Sequence, residues 1–188
     1  MTNGRWRAVL AAAAVALVGA GCASGPPVAR LTDPSAAATF PEPGLGAPPS
    51  LAGKPLPSGT FTRLSGGSAT FTDLRGRPAI VNLWSRTCTP CVQEMPVFDA
   101  LHRRLGDAVS VVGLNSGDAP DAAKAFAATL GVSYDLWLDD GQDATRALGV
   151  TALPTTIFVD ADGAIVRTHL GAFDAAALDD AVNQVFGL

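Results

Sequence analysis

The sequence predicts an α/β fold, with a central mixed β-sheet and helices on both of its faces. Strand-like and helix-like segments alternate along residues 51–188 in the order ββ, βαβα, βα, ββα. Residues 78–84 (PAIVNLW) are almost continuously apolar, which is typical of a strand covered on both faces. Residues 155–171 have the pattern of a β-hairpin with Asp-Ala-Asp-Gly as its turn. These three features together favour one layered domain.

The other elements follow from periodicity and from residues that start or stop them. Residues 60–64 and 69–74 alternate apolar with polar side chains across Ser-Gly-Gly, which predicts a first hairpin. Asp118 or Asp121 lies near the expected cap of the second helix, and Gly131 ends that helix. The remaining predicted elements are a helix over 89–105, a strand over 109–115, a strand over 134–139, a helix over 143–150 and a last helix up to 188.

Composition excludes one broad class of function. The chain has 188 residues and a formal net charge of −4. No cluster of basic residues is visible, so there is no electrostatic basis for nucleic-acid binding. We expect no nucleic-acid partner.

The N-terminus has the pattern of an export signal. Arg5 and Arg7 precede an uncharged apolar run over 8–21. This run is shorter than the roughly 20 apolar residues that span a bilayer, and its length suits the core of a signal peptide. We therefore predict a signal peptide over residues 1–21 and an extracytoplasmic, bacterial location.

Cys22 follows this run directly. Ala20 and Gly21 before it resemble a bacterial lipobox, in which the cysteine is lipidated, whereas Gly19 departs from that pattern. The alternative is an ordinary cleaved signal with an incidental cysteine. Lipidation is the preferred prediction, which makes the protein a lipoprotein anchored at the cell membrane. Residues 22–50 are rich in Pro, Gly and Ala and are predicted to be a tether, leaving residues 51–188 as the folded domain.

Cys88 and Cys91 form the only closely spaced thiol pair, a CxxC motif. A zinc site needs four ligands, and His102 and His169 lack the spacing of a metal-binding pair. A structural disulfide is the second alternative, but so small a ring contributes little stability. The third alternative is redox exchange, which needs no metal or organic cofactor.

The position of the pair favours redox exchange. Cys88 comes between a predicted buried strand and a predicted helix, where unpaired N–H groups and the helix dipole favour a thiolate. The thiolate is the reactive form of cysteine. Cys91 lies one turn further into the helix, where it is suited to resolving a mixed disulfide. Pro154, directly before a predicted strand, is a candidate cis-proline that presents the Leu153 backbone to a partner peptide.

Four segments resemble the TlpA/ResA-type branch of the thioredoxin-like family of exported thiol–disulfide oxidoreductases. They are LRGRPAIVNLW (74–84), CTPCVQEMP (88–96), GVTALPTTIFVDADG (149–163) and the last helix. The resemblance implies a thioredoxin-like fold with an N-terminal β-hairpin extension.

The resemblance also implies roles for single residues. Cys88 corresponds to the attacking thiol, Cys91 to the resolving thiol and Pro154 to the cis-proline. Glu94 matches an acidic residue near the thiols that is thought to assist proton movement; the alternative is a helix acid favoured by the dipole. Asn82 occupies the position of a buried aspartate in thioredoxin itself.

One position departs from the family pattern. Tryptophan commonly precedes the first cysteine in the family, whereas this chain has Thr87. Trp84, three residues earlier, is assigned with Leu153 and Pro154 to partner binding. The missing ring removes apolar docking surface and bears on partner choice and redox potential.

The sequence thus predicts an exported oxidoreductase that acts on protein thiols and disulfides. The resemblance favours the reducing direction, with apocytochrome c thiols as a possible substrate and a membrane thiol as electron donor. An oxidase that forms disulfides in exported proteins is one alternative, because exported thiols tend to be oxidised. A redox-inactive binding module with the same fold is the other.

Overall fold

The computed structural model describes residues 51–188. The predicted signal peptide, the tether over 22–50 and Cys22 lie outside the described residues and stay predictions. Among the described residues, no helix has the length and apolar character that a membrane span needs.

Seven strands and four α-helices make up the described part of the chain. The strands are β1 (Thr60–Arg63), β2 (Ser68–Thr70), β3 (Ala79–Trp84), β4 (Ser110–Ser116), β5 (Asp135–Asp139), β6 (Thr155–Val159) and β7 (Ile165–Leu170). The helices are α1 (Thr89–Leu105), α2 (Pro120–Leu130), α3 (Asp143–Ala147) and α4 (Ala175–Phe186).

The strands form one mixed sheet in the order β2-β1-β5-β4-β3-β6-β7. β3, β4 and β5 are parallel to one another. On one side β6 pairs antiparallel with β3, and β7 pairs antiparallel with β6. On the other side β1 pairs antiparallel with β5 and forms a hairpin with β2. The predicted mixed sheet and the N-terminal hairpin are therefore confirmed. The parallel strands β3 and β4 bring their carboxyl ends to the same edge, where Trp84 pairs with Asn115.

Each face of the sheet carries its own hydrophobic core. On one face, α1, α2 and α4 pack against Ile80 and Trp84 of β3. On the other face, α3 and the first hairpin pack against Val81 and Leu83. Every side chain of β3 is buried, which explains the continuous apolar run in its sequence.

One local prediction was wrong. The expected second strand of the first hairpin stops at Thr70, and residues Phe71–Leu74 form a 3₁₀ turn instead. Asp73 accepts hydrogen bonds from the Thr70 N–H and hydroxyl, so a local side-chain contact outcompetes strand pairing there.

The ends of the second helix lie where the sequence predicts them. Its N-cap residue is Ala119, so Asp118 and Asp121 lie near the cap, although no side chain caps the helix. Gly131 ends that helix in the left-handed conformation, as expected.

Candidate active site

The thiol pair lies at the junction of β3 and α1, at the carboxyl edge of the parallel strands. Cys88 is the N-cap residue of α1, and its Sγ accepts a hydrogen bond from the Cys91 N–H at 3.3 Å. Pro90 occupies the first turn, where no intrahelical N–H is needed. The two cysteines are joined as a disulfide, with their Cα atoms 5.3 Å apart. This is the oxidised state of a CxxC pair.

The two sulfurs differ in their access to solvent. Cys91 has no exposed surface and belongs to the core beneath α1. Cys88 is half-buried, and its neighbours Arg86, Thr87 and Thr89 are exposed. Cys88 is therefore the sulfur that a large partner can reach first.

Glu94 lies one turn beyond Cys91 on α1 and is almost completely buried. Its Oε1 accepts a hydrogen bond from Asn82 Nδ2 at 2.8 Å, and its Oε2 accepts one from the Phe173 N–H at 2.8 Å. Burial raises the pKa of the Glu94 carboxyl, and the two hydrogen bonds oppose that rise only in part. A buried carboxyl with a raised pKa, one helical turn from a thiol pair, is a candidate functional group.

Two groups in the hydrogen-bond network of this carboxyl, Thr156 and Phe173, carried no signal in the sequence. Asn82 Nδ2 also donates to Thr156 Oγ1 at 3.2 Å, because β3 and β6 place Asn82 directly opposite Thr156. Phe173 follows β7 and reaches Glu94 through its backbone only. A sheet register or a backbone donor cannot be read from residue types, so sequence reasoning missed both.

The loop before β6 lies at the same edge as the thiols, because Thr155 of β6 pairs with Leu83 near the end of β3. The Leu153–Pro154 peptide bond is cis. The Pro154 carbonyl accepts a hydrogen bond from the Gly171 N–H at 2.9 Å. Leu153 is half-buried, and no other residue in 51–188 forms a hydrogen bond with its backbone N–H or carbonyl.

Trp84 does not lie at the partner-binding surface to which its sequence position assigned it. Its side chain has no exposed surface and packs in the core, with its ring centroid 6.2 Å from that of Phe126. The last residue of a strand covered on both faces points into one of the two cores. A direct contact with a docked partner is therefore excluded for Trp84, and that assignment was wrong.

The described residues contain no group of three or more His, Cys, Asp or Glu side chains that is arranged to hold a metal ion. His102 lies on α1, and His169 stacks on Phe173 with ring centroids 3.9 Å apart.

Comparison with known proteins agrees with this geometry. The Redoxin family pattern matches residues 51–185, which is nearly the whole described domain. The chain belongs to the Redoxin family. Within it, the chain is a TlpA/ResA-type thioredoxin-like protein.

Named relatives define the branch. A thiol-disulfide oxidoreductase ResA from Bacillus thuringiensis is 31% identical over 120 residues, which span 63% of this chain and 69% of that protein. The thioredoxin-like protein YneN from Bacillus subtilis is 30% identical over 122 residues, spanning 63% of this chain and 71% of YneN. The Redoxin-type chain is thus a thiol–disulfide oxidoreductase.

The fold has close structural counterparts as well. The crystal structure of a thiol:disulfide interchange protein DsbE from Chlorobium tepidum superposes with a TM-score of 0.67 at 23% identity. That match covers 72% of this chain and 99% of the other. The predicted thioredoxin-like fold is confirmed.

Proposed function

We propose that this Redoxin-type protein is an extracytoplasmic disulfide reductase of protein substrates, with Cys88 as the attacking thiol and Cys91 as the resolving thiol. The observation that carries the proposal is the difference between the two sulfurs. Cys88 is half-buried at the N-terminus of α1 and keeps some exposed surface, whereas Cys91 has none. A partner disulfide therefore meets Cys88 first, and Cys91 is shielded until the mixed disulfide forms.

The reaction consists of two exchanges. The Cys88 thiolate attacks one sulfur of the partner disulfide, a mixed disulfide forms, and the other partner sulfur leaves as a thiolate. The Cys91 thiolate then attacks the Cys88 sulfur, which forms the Cys88–Cys91 disulfide and releases the second partner thiolate. Two electrons pass from the pair to the partner, and the protons given up by the two cysteines are taken up by the partner thiolates.

The cycle closes when a membrane thiol donor reduces the Cys88–Cys91 disulfide by the same two exchanges. The donor supplies two electrons and is itself oxidised to a disulfide. Such a donor is required, because thiols outside the cytoplasm are otherwise oxidised. A disulfide of apocytochrome c, whose reduction to thiols serves cytochrome c maturation, is the substrate we propose.

Glu94 is proposed to accept the proton of Cys91 during resolution. The buried Cys91 thiol has no solvent-exposed surface, so a nearby base is needed to form its thiolate. Burial raises the pKa of Glu94, which makes its carboxylate a stronger base than an exposed one. Substitution of Glu94 by Gln should therefore slow release of a mixed disulfide more than its formation.

The loop that contains Leu153 and Pro154 is proposed as the docking site for the partner backbone. It lies at the same sheet edge as Cys88, and the Leu153 main-chain groups are without a hydrogen-bond partner in the described domain. An extended peptide can pair with such groups regardless of its sequence. This mode of docking suits a reductase that acts on several proteins.

The decisive experiment is trapping of partners. In reduced Cys91→Ser protein, Cys88 should capture partners as mixed disulfides that dithiothreitol releases, because the resolving sulfur is missing. Cys88→Ser protein is the matched control and should capture none, because it lacks the attacking sulfur. Both variants keep Cys22, so any capture through Cys22 would appear equally in both. The wild type should also accelerate the reduction of insulin by dithiothreitol. Equal trapping by both variants, with insulin reduced at the uncatalysed rate, would refute the proposal.

The direction of electron flow is tested by the redox potential of the pair, measured at equilibrium with glutathione or dithiothreitol. A reductase needs a potential closer to that of thioredoxin, about −270 mV, than to that of DsbA, about −120 mV. A value near the latter would overturn the reducing direction and favour the oxidase alternative.

We propose that residues 1–21 direct export and that Cys22 carries a lipid anchor. Replacement of Cys22 by Ala should release the protein from membranes and abolish incorporation of labelled palmitate. Retention of the Cys22→Ala protein in the membrane fraction would contradict the anchor and leave the redox proposal untouched.

A further inference from the structure

The turn that carries Cys88 is held by a side chain from another part of the sheet. The Cys88 N–H donates to the Ser85 carbonyl at 3.2 Å, so residues 85–88 form a turn with Arg86 and Thr87 at its centre. Both central residues are exposed. The turn leads directly into the N-terminus of α1, and its conformation therefore positions the Cys88 sulfur.

Asp118, in the loop between β4 and α2, binds this turn. Its Oδ2 accepts hydrogen bonds from the Arg86 N–H at 2.7 Å and from Asn115 Nδ2 at 2.8 Å. Its Oδ1 forms an ion pair with Arg86 Nε at 3.2 Å. The Asp118 side chain is only 6% exposed, whereas that of Arg86 is 47% exposed, so the carboxylate is enclosed by its partners. We call these three residues the Arg86–Asp118–Asn115 clamp.

Helix capping does not explain Asp118. The N-cap residue of α2 is Ala119, and no side chain caps that helix. Within residues 51–188, the Asp118 carboxylate forms its hydrogen bonds and its ion pair with Arg86 and Asn115. The carboxylate therefore serves the turn before the thiol pair.

We propose that Asp118 is a positioning residue for the thiol pair. It fixes the turn that carries Cys88, and it neutralises the Arg86 guanidinium in that turn. The charge balance of the clamp thereby sets the redox equilibrium of the pair. The proposal rests on the proposed function, since it assumes that Cys88 exchanges with partner disulfides. No sequence motif pointed to a role of these residues at the thiol pair.

Arg86 and Cys88 lie two residues apart in the same hydrogen-bonded turn, and Asp118 is bound to Arg86. Charges within about 10 Å of each other are only partly screened at physiological ionic strength. An unbalanced cation at Arg86 would stabilise a Cys88 thiolate, and an unbalanced carboxylate at Asp118 would destabilise it. A stabilised thiolate favours the reduced state and makes the pair more oxidising.

Other charged groups at this edge have different partners. Glu94 is bound to Asn82 and Phe173, and Asp139 at the end of β5 is bound to the backbone and hydroxyl of Thr145. The loop over residues 151–155 contains no charged side chain. Arg86 and Asp118 are therefore the pair whose balance can be changed without disturbing those contacts.

Neutralising each partner separately gives the test. Arg86→Gln leaves Asp118 unbalanced and should move the equilibrium constant with dithiothreitol about two- to fourfold toward the disulfide. Asp118→Asn leaves Arg86 unbalanced and should move it by a similar factor in the opposite direction. The double variant should return close to the wild-type value. The pH at which Cys88 reacts with iodoacetamide should rise in Arg86→Gln and fall in Asp118→Asn.

Asp179→Asn is the matched control, because it removes an exposed aspartate–arginine pair with Arg104 far along α1. It should leave the equilibrium constant unchanged. Arg86→Gln keeps the backbone N–H that binds Asp118, so its folding is not at risk if Asp118→Asn folds poorly.

Shifts of the same sign in both variants would overturn the charge balance. Lowered melting temperatures with an unchanged equilibrium constant would show a merely structural clamp. Neither result touches the proposed function, which fails only if the wild-type pair does not exchange with dithiothreitol or trap partners.

Discussion

Glu94 Oε2 accepts a hydrogen bond from the backbone N–H of Phe173 at 2.8 Å, across the contact between α1 and the segment that leads into α4. Asn82 of β3 binds the other oxygen of the same carboxylate. A single buried side chain thus joins three parts of the fold directly beneath the thiol pair. Loss of the carboxylate would leave two buried donors without an acceptor.

The first prediction concerns the pH dependence of stability that Glu94 creates. Its pKa is raised by burial above the ordinary value of 4.5, so the folded state binds a proton more tightly than the unfolded state does. The contribution of Glu94 is fully present below pH 4.5 and is lost as pH rises toward the folded-state pKa. The free energy of unfolding of the wild type should therefore fall, relative to that of Glu94→Gln, as pH rises above 4.5.

Urea unfolding of the oxidised proteins at several pH values measures this difference. Asp121→Asn is a suitable control, because Asp121 is an exposed acid in the first turn of α2. A difference between wild type and Glu94→Gln that is constant or grows with pH would contradict the raised pKa.

The second prediction concerns Asp99, a buried acid on the same helix with the opposite behaviour. Burial alone would raise its pKa, but hydrogen bonds from the Ser133 N–H and hydroxyl, at 2.6 and 2.8 Å, and the charge of Arg103 outweigh burial and lower the pKa. Its stabilisation is therefore present above the ordinary pKa of 3.8 and is lost as pH falls through the folded-state value. Asp99→Asn should cost about 1–3 kcal/mol at pH 7.

The same substitution should cost progressively less as pH falls through the lowered folded-state pKa of Asp99, because the wild-type carboxyl becomes protonated there. Arg103→Gln is the matched control, since it removes only the exposed partner of the ion pair and should cost less than about 1 kcal/mol. Equal destabilisation by the two variants at pH 7 would show that the Ser133 contacts do not contribute to the free energy of unfolding.

The sequence predicted the layers of this fold because its periodicities were strong. The apolar run over 78–84 predicted a strand covered on both faces. The CxxC motif after this strand located the candidate active site. What the sequence could not show was which distant groups meet. Thr156 reaches Asn82 through the register of β6, and Phe173 reaches Glu94 through its backbone alone. Contacts of these kinds cannot be predicted from residue types or their spacing.

Tertiary contacts decide what Trp84 and Asp118 do. Trp84 was expected at the docking surface, but both faces of β3 are covered, so its ring lies in a core. Asp118 lies near the start of α2, as expected, yet its carboxylate binds a backbone N–H and a guanidinium of another segment instead of capping the helix.

The third prediction uses the position directly before Cys88. Thr87 is exposed, so a tryptophan there would add apolar surface beside the attacking sulfur. Burying about 40 Å² more apolar area against a partner contributes about 1 kcal/mol, or about fivefold in affinity. Thr87→Trp should therefore lower the KM for insulin about fivefold with a smaller effect on kcat.

Thr129→Trp provides the control, because Thr129 is exposed near the far end of α2. An unchanged KM in Thr87→Trp, or an equal drop in both variants, would show that partners do not pack on the turn before Cys88.

The fourth prediction concerns Gly113 in β4, which is enclosed by the core beneath α2. A Cβ atom at this position would lie 2.6 Å from Leu136 Cδ2 and 3.1 Å from Trp84 Nε1. Both neighbours are buried, so neither can move without disturbing the packing around Trp84. Gly113→Ala should therefore lower the free energy of unfolding by about 1–3 kcal/mol, the usual cost of overpacking a core.

Gly59 provides the matched control for this substitution. A Cβ atom there would lie 3.4 Å from the Phe61 ring, an ordinary contact, in an exposed segment before β1. Gly59→Ala should be neutral or slightly stabilising, because alanine reduces the freedom of the unfolded chain. Because Trp84 ends the strand that leads into the thiol turn, Gly113→Ala should also change the insulin reductase rate, whereas Gly59→Ala should not. A Gly113→Ala protein as stable as Gly59→Ala would contradict this prediction, because it would show that the core around Gly113 accommodates an added methyl group.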